Sequence, residues 1–356
     1  MLLKLLEVRR RLINLRWYVN LKKSFNILCG LFVCFGIVLC QDPPDPPDAV
    51  TKVSTSAANW LKIESGVRGI AMGGAQAASG RGLSGAYYNP ASIAFIESSE
   101  AYFSKSQYLA GITHNTLAYG TRLTPTDYFG LHLFYLNSGD MEVTTVPSPD
   151  GTGEYFSVSD ISLRLIYGKQ LTDRLRIGGS IKYIREDIYT TFMQSFVFDL
   201  GSNFRTGIYG IILGMSVSNF GADVQFQGEG LQVEVDPEDD ISGFQQKITK
   251  KFSVPLVFRL GLQKDVELKG LLGSVHRLSV SVDAINPIDY TVYGGLGAEY
   301  SWREMLFVRG GTHLFHDTAG LSLGGGVKWK IIALDFAYVN YGILEETLQF
   351  GISLEF

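Results

Sequence analysis

From about residue 100 to the end, apolar and polar residues alternate along the chain with a period of two. The last ten residues show it most plainly: Leu348, Phe350, Ile352, Leu354 and Phe356 alternate with Gln349, Gly351, Ser353 and Glu355. The same pattern sets Leu321, Leu323, Val327 and Trp329 against Ser322, Gly324, Gly326 and Lys328. It sets Leu175, Ile177, Ile181 and Tyr183 against Arg176, Ser180 and Lys182. Successive side chains of a strand point to opposite faces, so each run predicts a strand with one apolar face. Fourteen such runs are expected, at 100–108, 112–123, 127–137, 157–169, 174–186, 192–203, 207–219, 250–263, 274–285, 291–301, 304–313, 319–329, 331–340 and 347–356.

Many of these runs reach ten residues, whereas soluble strands are usually about five or six long. A tilted strand crossing a bilayer needs roughly 9–11. The even number and the spacing of the turns agree with a membrane barrel. With the first strand starting in the periplasm, the tight links at 124–126, 170–173, 302–304 and Lys330 fall on the periplasmic side, and the long ones at 138–156 and 220–249 fall outside. The link 264–273 reads as a longer periplasmic turn than the others. The expected fold is therefore all-β: a closed transmembrane antiparallel barrel of about fourteen strands over 98–356, in the outer membrane. Terminal-strand residues Phe350, Ile352, Leu354 and Phe356 are expected to face lipid and to act as the assembly signal.

The N-terminal hundred residues do not alternate. Residues 25–39, FNILCGLFVCFGIVL, form an uncharged apolar run behind a basic stretch and are too short for a comfortable membrane helix. Residues 1–40 read as a signal peptide, and the Pro- and Asp-rich 41–56 as a linker. Cys29, Cys34 and Cys40 all fall in the signal, so the remaining chain has no thiol chemistry. Residues 57–97 are weakly polar and glycine-rich, which excludes a long helix. A segment of this kind suits the inside of a barrel, as a small luminal plug.

Composition adds exclusions. Removing residues 1–40 takes away seven cations and one anion, moving the net charge from −4 to −10. An acidic body argues against nucleic acid as a partner. His313 and His316 are expected on a solvated outer turn, and the acidic run Glu229, Glu234, Asp236, Glu238, Asp239 and Asp240 on a solvated loop. Arg164, Arg176, Lys182, Arg259, Glu299, Arg309, Lys328 and Asp335 sit on the less apolar strand faces and are expected to pair across the lumen. No motif calls for a catalytic residue, a metal ligand or a cofactor.

The run LKIESGVRGIAMGGAQAASGRGLSGAYYNPASIAF, residues 61–95, resembles the opening motif of the PorV/PorQ family, through Leu61, Gly66, Arg68, Ala71, Met72, Gly73, Gly74, Ala75, Ala78, Asn89, Pro90 and Ala91. Asn286-Pro287, residues 294–302, Arg309-Gly310-Gly311, residues 320–330 and the terminal strand extend the resemblance. It implies an outer-membrane barrel related in fold to the fatty acid transporter FadL, with Leu61, Gly66, Arg68, Met72, Gly73, Gly74, Asn89 and Pro90 as plug residues. It also implies a role as an accessory or shuttle in type IX protein secretion. The partners implied are outer-membrane lipid, the barrel assembly machinery, and type IX components or their cargo. Two alternatives remain: a FadL-like transporter of hydrophobic small molecules, and a structural envelope protein.

Overall fold

The computed structural model describes residues 55–234, 244–269 and 275–356. The expected signal peptide, and the expected linker apart from Thr55 and Ser56, lie outside them. So does most of the acidic run beyond Glu234.

Fourteen antiparallel strands close into one barrel. In chain order they are β1 (Ser99–Gln107), β2 (Thr113–Arg122), β3 (Asp127–Asn137), β4 (Val158–Gln170), β5 (Leu175–Ile188), β6 (Thr191–Arg205), β7 (Ile211–Gly221), β8 (Val257–Lys269), β9 (Val275–Pro287), β10 (Tyr293–Trp302), β11 (Leu306–Leu314), β12 (Leu321–Trp329), β13 (Ile332–Asn340) and β14 (Glu346–Glu355). Each pairs with its chain neighbours, and β1 closes the ring on β14: Phe103 lies opposite both Leu117 and Ile352. Closure pairs every strand on both sides, so no edge is left to meet lipid. The expected strand at 250–263 lies instead at Val257–Lys269, so the supposedly long turn at 264–273 is largely strand. Residues 250–256 carry Pro255 and two lysines, and they stay with the loop that precedes the wall.

The alternation becomes two environments. Leu117, Leu131, Leu163, Phe196, Leu262, Leu323, Leu334 and Phe350 point outward and form an apolar belt; Leu200 and Val308 are 67% and 65% exposed. Exposure of that extent around a whole ring would be untenable in water and suits hydrocarbon. The alternate residues are buried and face inward. The wall has one irregularity: Phe198 lies opposite Phe220 but Leu200 opposite Val217, so β7 carries an extra residue. Asn219 takes a left-handed φ of 64° there. Asp199 holds the bulge, accepting from the Asn219 backbone N–H at 2.8 Å, Lys182 Nζ at 2.8 Å and Ser180 Oγ at 2.7 Å.

Candidate functional site: the N-terminal segment within the barrel

Residues 55–97 have little regular structure: a 3-10 turn at Asn59–Lys62, one helical turn α1 (Val67–Ala71) and a second 3-10 turn at Pro90–Phe95. Almost every residue from Ser65 to Ile96 is buried. The segment lies against the inner faces of strands all round the wall, and the wall admits it because inward positions are glycine. A Cβ at Gly214 of β7 would stand 2.0 Å from the Ala77 carbonyl oxygen, and one at Gly201 of β6 2.1 Å from Asn89 Oδ1. At Gly178 of β5 it would meet Pro90 and Ala91 at 2.5 Å, at Gly311 of β11 the Met72 carbonyl carbon at 2.2 Å, and at Gly324 of β12 the Ala71 side chain at 2.5 Å. Real Cβ atoms do not approach so closely, so these positions explain much of the high glycine content. Gly73 and Gly74, at φ 59° and 73°, make the left-handed turn that brings the segment against Thr312.

An irregular backbone inside a barrel must find hydrogen-bond partners there. Wall side chains supply them. Asp283 accepts from the Ala77 N–H at 2.7 Å, and Glu100 from the Leu83 N–H at 3.2 Å. Arg164 donates to the Ala86 carbonyl at 2.8 Å, Asn203 to Ala78 at 2.8 Å, Ser216 to Tyr88 at 2.7 Å and Arg176 to Ala94 at 3.1 Å.

The residues of the opening motif take specific places in this packing. Leu61 is buried, and its carbonyl accepts from Tyr87 OH at 3.1 Å. Gly66 begins α1 where a side chain would strike the Ser84 carbonyl. Arg68 donates to Glu299 through Nε at 2.9 Å and Nη2 at 3.0 Å, and also to Ser79 O at 2.7 Å. Met72 fills the space over Gly297 and Gly311, and its Sδ accepts from Gln76 at 3.3 Å. Asn89 caps the turn begun by Pro90: its Oδ1 accepts from the Ala91 N–H at 3.0 Å while its Nδ2 donates to Ala77 O and Ser202 O. The four terminal-strand residues Phe350, Ile352, Leu354 and Phe356 are exposed on the outer face, away from this segment.

The lumen differs at its two ends. Toward the short turns lies a charged vestibule of about 690 Å³, lined by Arg68, Arg81, Glu100, Glu299, Arg309, Asp335 and Glu355 among others. Arg309 bridges Glu299 at 2.7 Å and Asp335 at 2.5 Å, and Lys328 meets Glu355 at 2.5 Å. Lys182 and Arg164 meet Asp199 higher in the wall, at 2.8 and 3.6 Å. Two of the expected luminal charges do otherwise: Arg176 lies over the Phe95 ring at 4.2 Å, and Arg259 over Tyr87 at 5.4 Å and Tyr88 at 6.0 Å.

Toward the long loops the interior holds an apolar cluster beside buried polar groups such as His132 and Asp160. Trp60, Leu61, Phe134, Leu136, Ile184, Met193, Val197, Val224 and Val254 form one buried cluster. His313 departs from the solvated turn expected for it. It is buried in β11, with Nε2 3.5 Å from Glu64 Oε1, and its ring stands 5.7 Å from that of His316. Burial alone would raise the Glu64 pKa, but the contact with His313, the Arg259 charge and the Tyr88 hydroxyl hold it below the ordinary glutamate value. Among the described residues no group of three His, Cys, Asp or Glu side chains is placed to hold a metal.

No family model matches the chain, and no curated protein matches it. Solved structures do. The toluene transporter TodX of Pseudomonas putida aligns at TM-score 0.51 and 14% identity, covering 81% of this chain and 96% of the transporter. A FadL homologue of Pseudomonas aeruginosa aligns at 0.51 and 13% identity, over 82% and 98%. The monoaromatic hydrocarbon channel CymD aligns at 0.50 and 13%, over 81% and 96%. The chain is an outer-membrane β-barrel of FadL-like fold. The expected assignment to the PorV/PorQ family and to type IX secretion is corrected by these matches, which are to FadL-type barrels and hydrocarbon channels. The physical reason lies in the motif itself. Gly66, Arg68, Met72, Gly73, Gly74, Asn89 and Pro90 are used in packing the segment against the wall, and such packing carries no information about a secretion partner.

Proposed function

We propose that the chain is an outer-membrane channel for hydrophobic small molecules, with residues 57–97 as the plug that closes it. One observation carries the reading: the loop end of the lumen is lined by a buried apolar cluster of Trp60, Phe134, Leu136, Ile184, Met193 and Val197. A water-filled porin presents a polar interior; an apolar cluster of this size within the lumen suits solutes that leave water readily. The fold likeness to a toluene transporter and a hydrocarbon channel supports the same reading.

In this reading residues 1–40 are the signal peptide, 41–56 a linker, and 98–356 the barrel. Its partners are membrane lipid and the barrel assembly machinery, which reads the terminal strand through Phe350, Ile352, Leu354 and Phe356. The test is flux into lipid vesicles holding the purified barrel. A monoaromatic hydrocarbon should enter faster than into protein-free vesicles, and a hydrophilic sugar should not. Equal rates for the hydrocarbon with and without protein would reject the channel.

A further inference from the structure

Before α1 the segment is tied by the Ala57 N–H to the Ser253 carbonyl at 3.0 Å and by Glu64 to His313 at 3.5 Å. The turn Asn59–Lys62 spans four residues; Ala58 before it sits at φ 52° with no side-chain cap. Its side-chain ties to the wall are Lys62 to Asp289 at 2.8 Å and the bond made by Trp60. Trp60 is 7% exposed and projects into the apolar cluster, its ring parallel to Phe134 at 5.7 Å with 8° between planes. Its Nε1–H donates to Glu186 Oε2 at 3.2 Å. The void beside it, bounded by Tyr87, His132 and Phe134, measures about 20 Å³. That is room for about one water molecule, whereas small-molecule pockets run to several hundred Å³.

We infer that the Trp60 indole occupies a ligand subsite of the channel, and that this subsite takes a planar aromatic molecule carrying a hydrogen-bond donor. The inference rests on the channel reading above and names its substrate class. The present occupant defines the chemistry: its ring stacks on Phe134 within a cluster that also holds Leu136, Ile184, Met193 and Val197, and its N–H reaches the Glu186 carboxyl. Asp160 lies opposite Glu186 in the β4–β5 register and is 4% exposed, so a second carboxyl neighbours the one the indole meets. The Glu186 carboxyl accepts the indole N–H, and a ligand with no donor would leave that acceptor unmet, so a donor-bearing ligand gains more here than a plain hydrocarbon does. A ligand that displaces Trp60 recovers the stack and the hydrogen bond that the indole gives up, so exchange is nearly balanced. The wild-type site therefore binds weakly, because its competent state is only fractionally populated.

The test uses the mature chain in lipid nanodiscs, with Trp60→Ala and two probes: indole, and benzofuran, which has the same shape without the N–H. Equilibrium dialysis, corrected for partition into lipid, should show Trp60→Ala binding indole at least about tenfold more tightly than wild type. It should also prefer indole to benzofuran by about tenfold, the ratio expected of one net hydrogen bond. Adding Glu186→Leu should abolish that preference. Where Trp60→Ala does not assemble, Trp60→Val serves, since it leaves a smaller version of the same hole. Indole binding no tighter than to wild type, or equal binding of the two probes, overturns the inference. Hydrocarbon flux without these binding differences rejects the subsite and leaves the channel. The binding differences without flux reject the channel and leave the subsite.

Discussion

Arg68 and Glu299 meet as a two-pronged pair across the lumen, Nε to Oε2 at 2.9 Å and Nη2 to Oε1 at 3.0 Å. Glu299 also accepts from Arg309 at 2.7 Å, so one wall carboxylate holds both an arginine of the N-terminal segment and an arginine of the neighbouring strand. The two arginines are therefore not equivalent to the carboxylate they share. Glu299→Leu leaves two nearly buried guanidinium groups facing each other and should cost about 3–5 kcal/mol. Arg68→Leu leaves Glu299 paired with Arg309 and should cost about 1–3 kcal/mol. Urea titration followed by heat-modifiable gel mobility measures both, and the reverse order would contradict this arrangement.

Two adjacent glycines should behave in opposite ways. Gly311 faces inward, where a Cβ would stand 2.2 Å from the Met72 carbonyl carbon; Gly310 faces outward, where the nearest atom is Leu323 Cδ2 at 3.7 Å. Gly311→Ala should destabilise by about 1–3 kcal/mol through overpacking and expose the N-terminal segment to protease. Gly310→Ala should stay within about 0.5 kcal/mol of wild type. Matching protease patterns for the two variants would remove the segment from its place against β11.

The lipid-facing terminal strand makes a depth-dependent prediction. Ile352 lies between Phe103 and Leu334, both apolar and both outward. Ile352→Lys should cost about 2–4 kcal/mol, as for a charge near the bilayer midplane. Ser353 points inward beside Tyr102 and Ala333, and Ser353→Thr should cost under about 1 kcal/mol. Membrane fractionation and gel mobility read the difference.

Acid should loosen the tie made by Glu64. Its pKa is lowered in the fold, so the carboxylate contributes stability above the ordinary value of 4.5. That contribution is lost as pH falls below 4.5 through the lowered folded value. Glu64→Gln should be less stable than wild type at neutral pH, and the gap should close in acid. A gap that widens in acid would contradict the lowered value.

The barrel was legible because lipid on one side and a filled lumen on the other impose a period of two over nine or more residues, a signal that survives without any knowledge of partners. Turn positions followed from the same rule, except before β8, where Lys250 and Lys251 are set among apolar residues that pack under a loop. The segment in the lumen was less legible. Its glycines and Asn89-Pro90 stand out, but the wall glycines that receive it do not: Gly310 and Gly311 are identical letters with opposite surroundings. Trp60 and Glu186 lie 126 residues apart, and nothing local joins them. His313 reads as a turn residue until Glu64 is placed beside it. The resemblance is silent on function for a related reason, since the residues that carry it serve the packing of the segment.

The most direct test of the account asks whether hydrophobic solutes cross only when the N-terminal segment can leave the wall. Val67 Cγ2 lies 2.8 Å from the Cβ that Gly351 would carry, so a Val67→Cys, Gly351→Cys pair is within disulfide reach. The three native cysteines all precede Gln41, so the pair has no competitor in a chain that begins there. The measurement is hydrocarbon flux into vesicles holding this double variant, oxidised and then reduced. A channel closed by this segment should give a rate near that of protein-free vesicles when oxidised and a rate near wild type after reduction. Equal flux in both states, or no flux above protein-free vesicles in either state or in wild type, would contradict it.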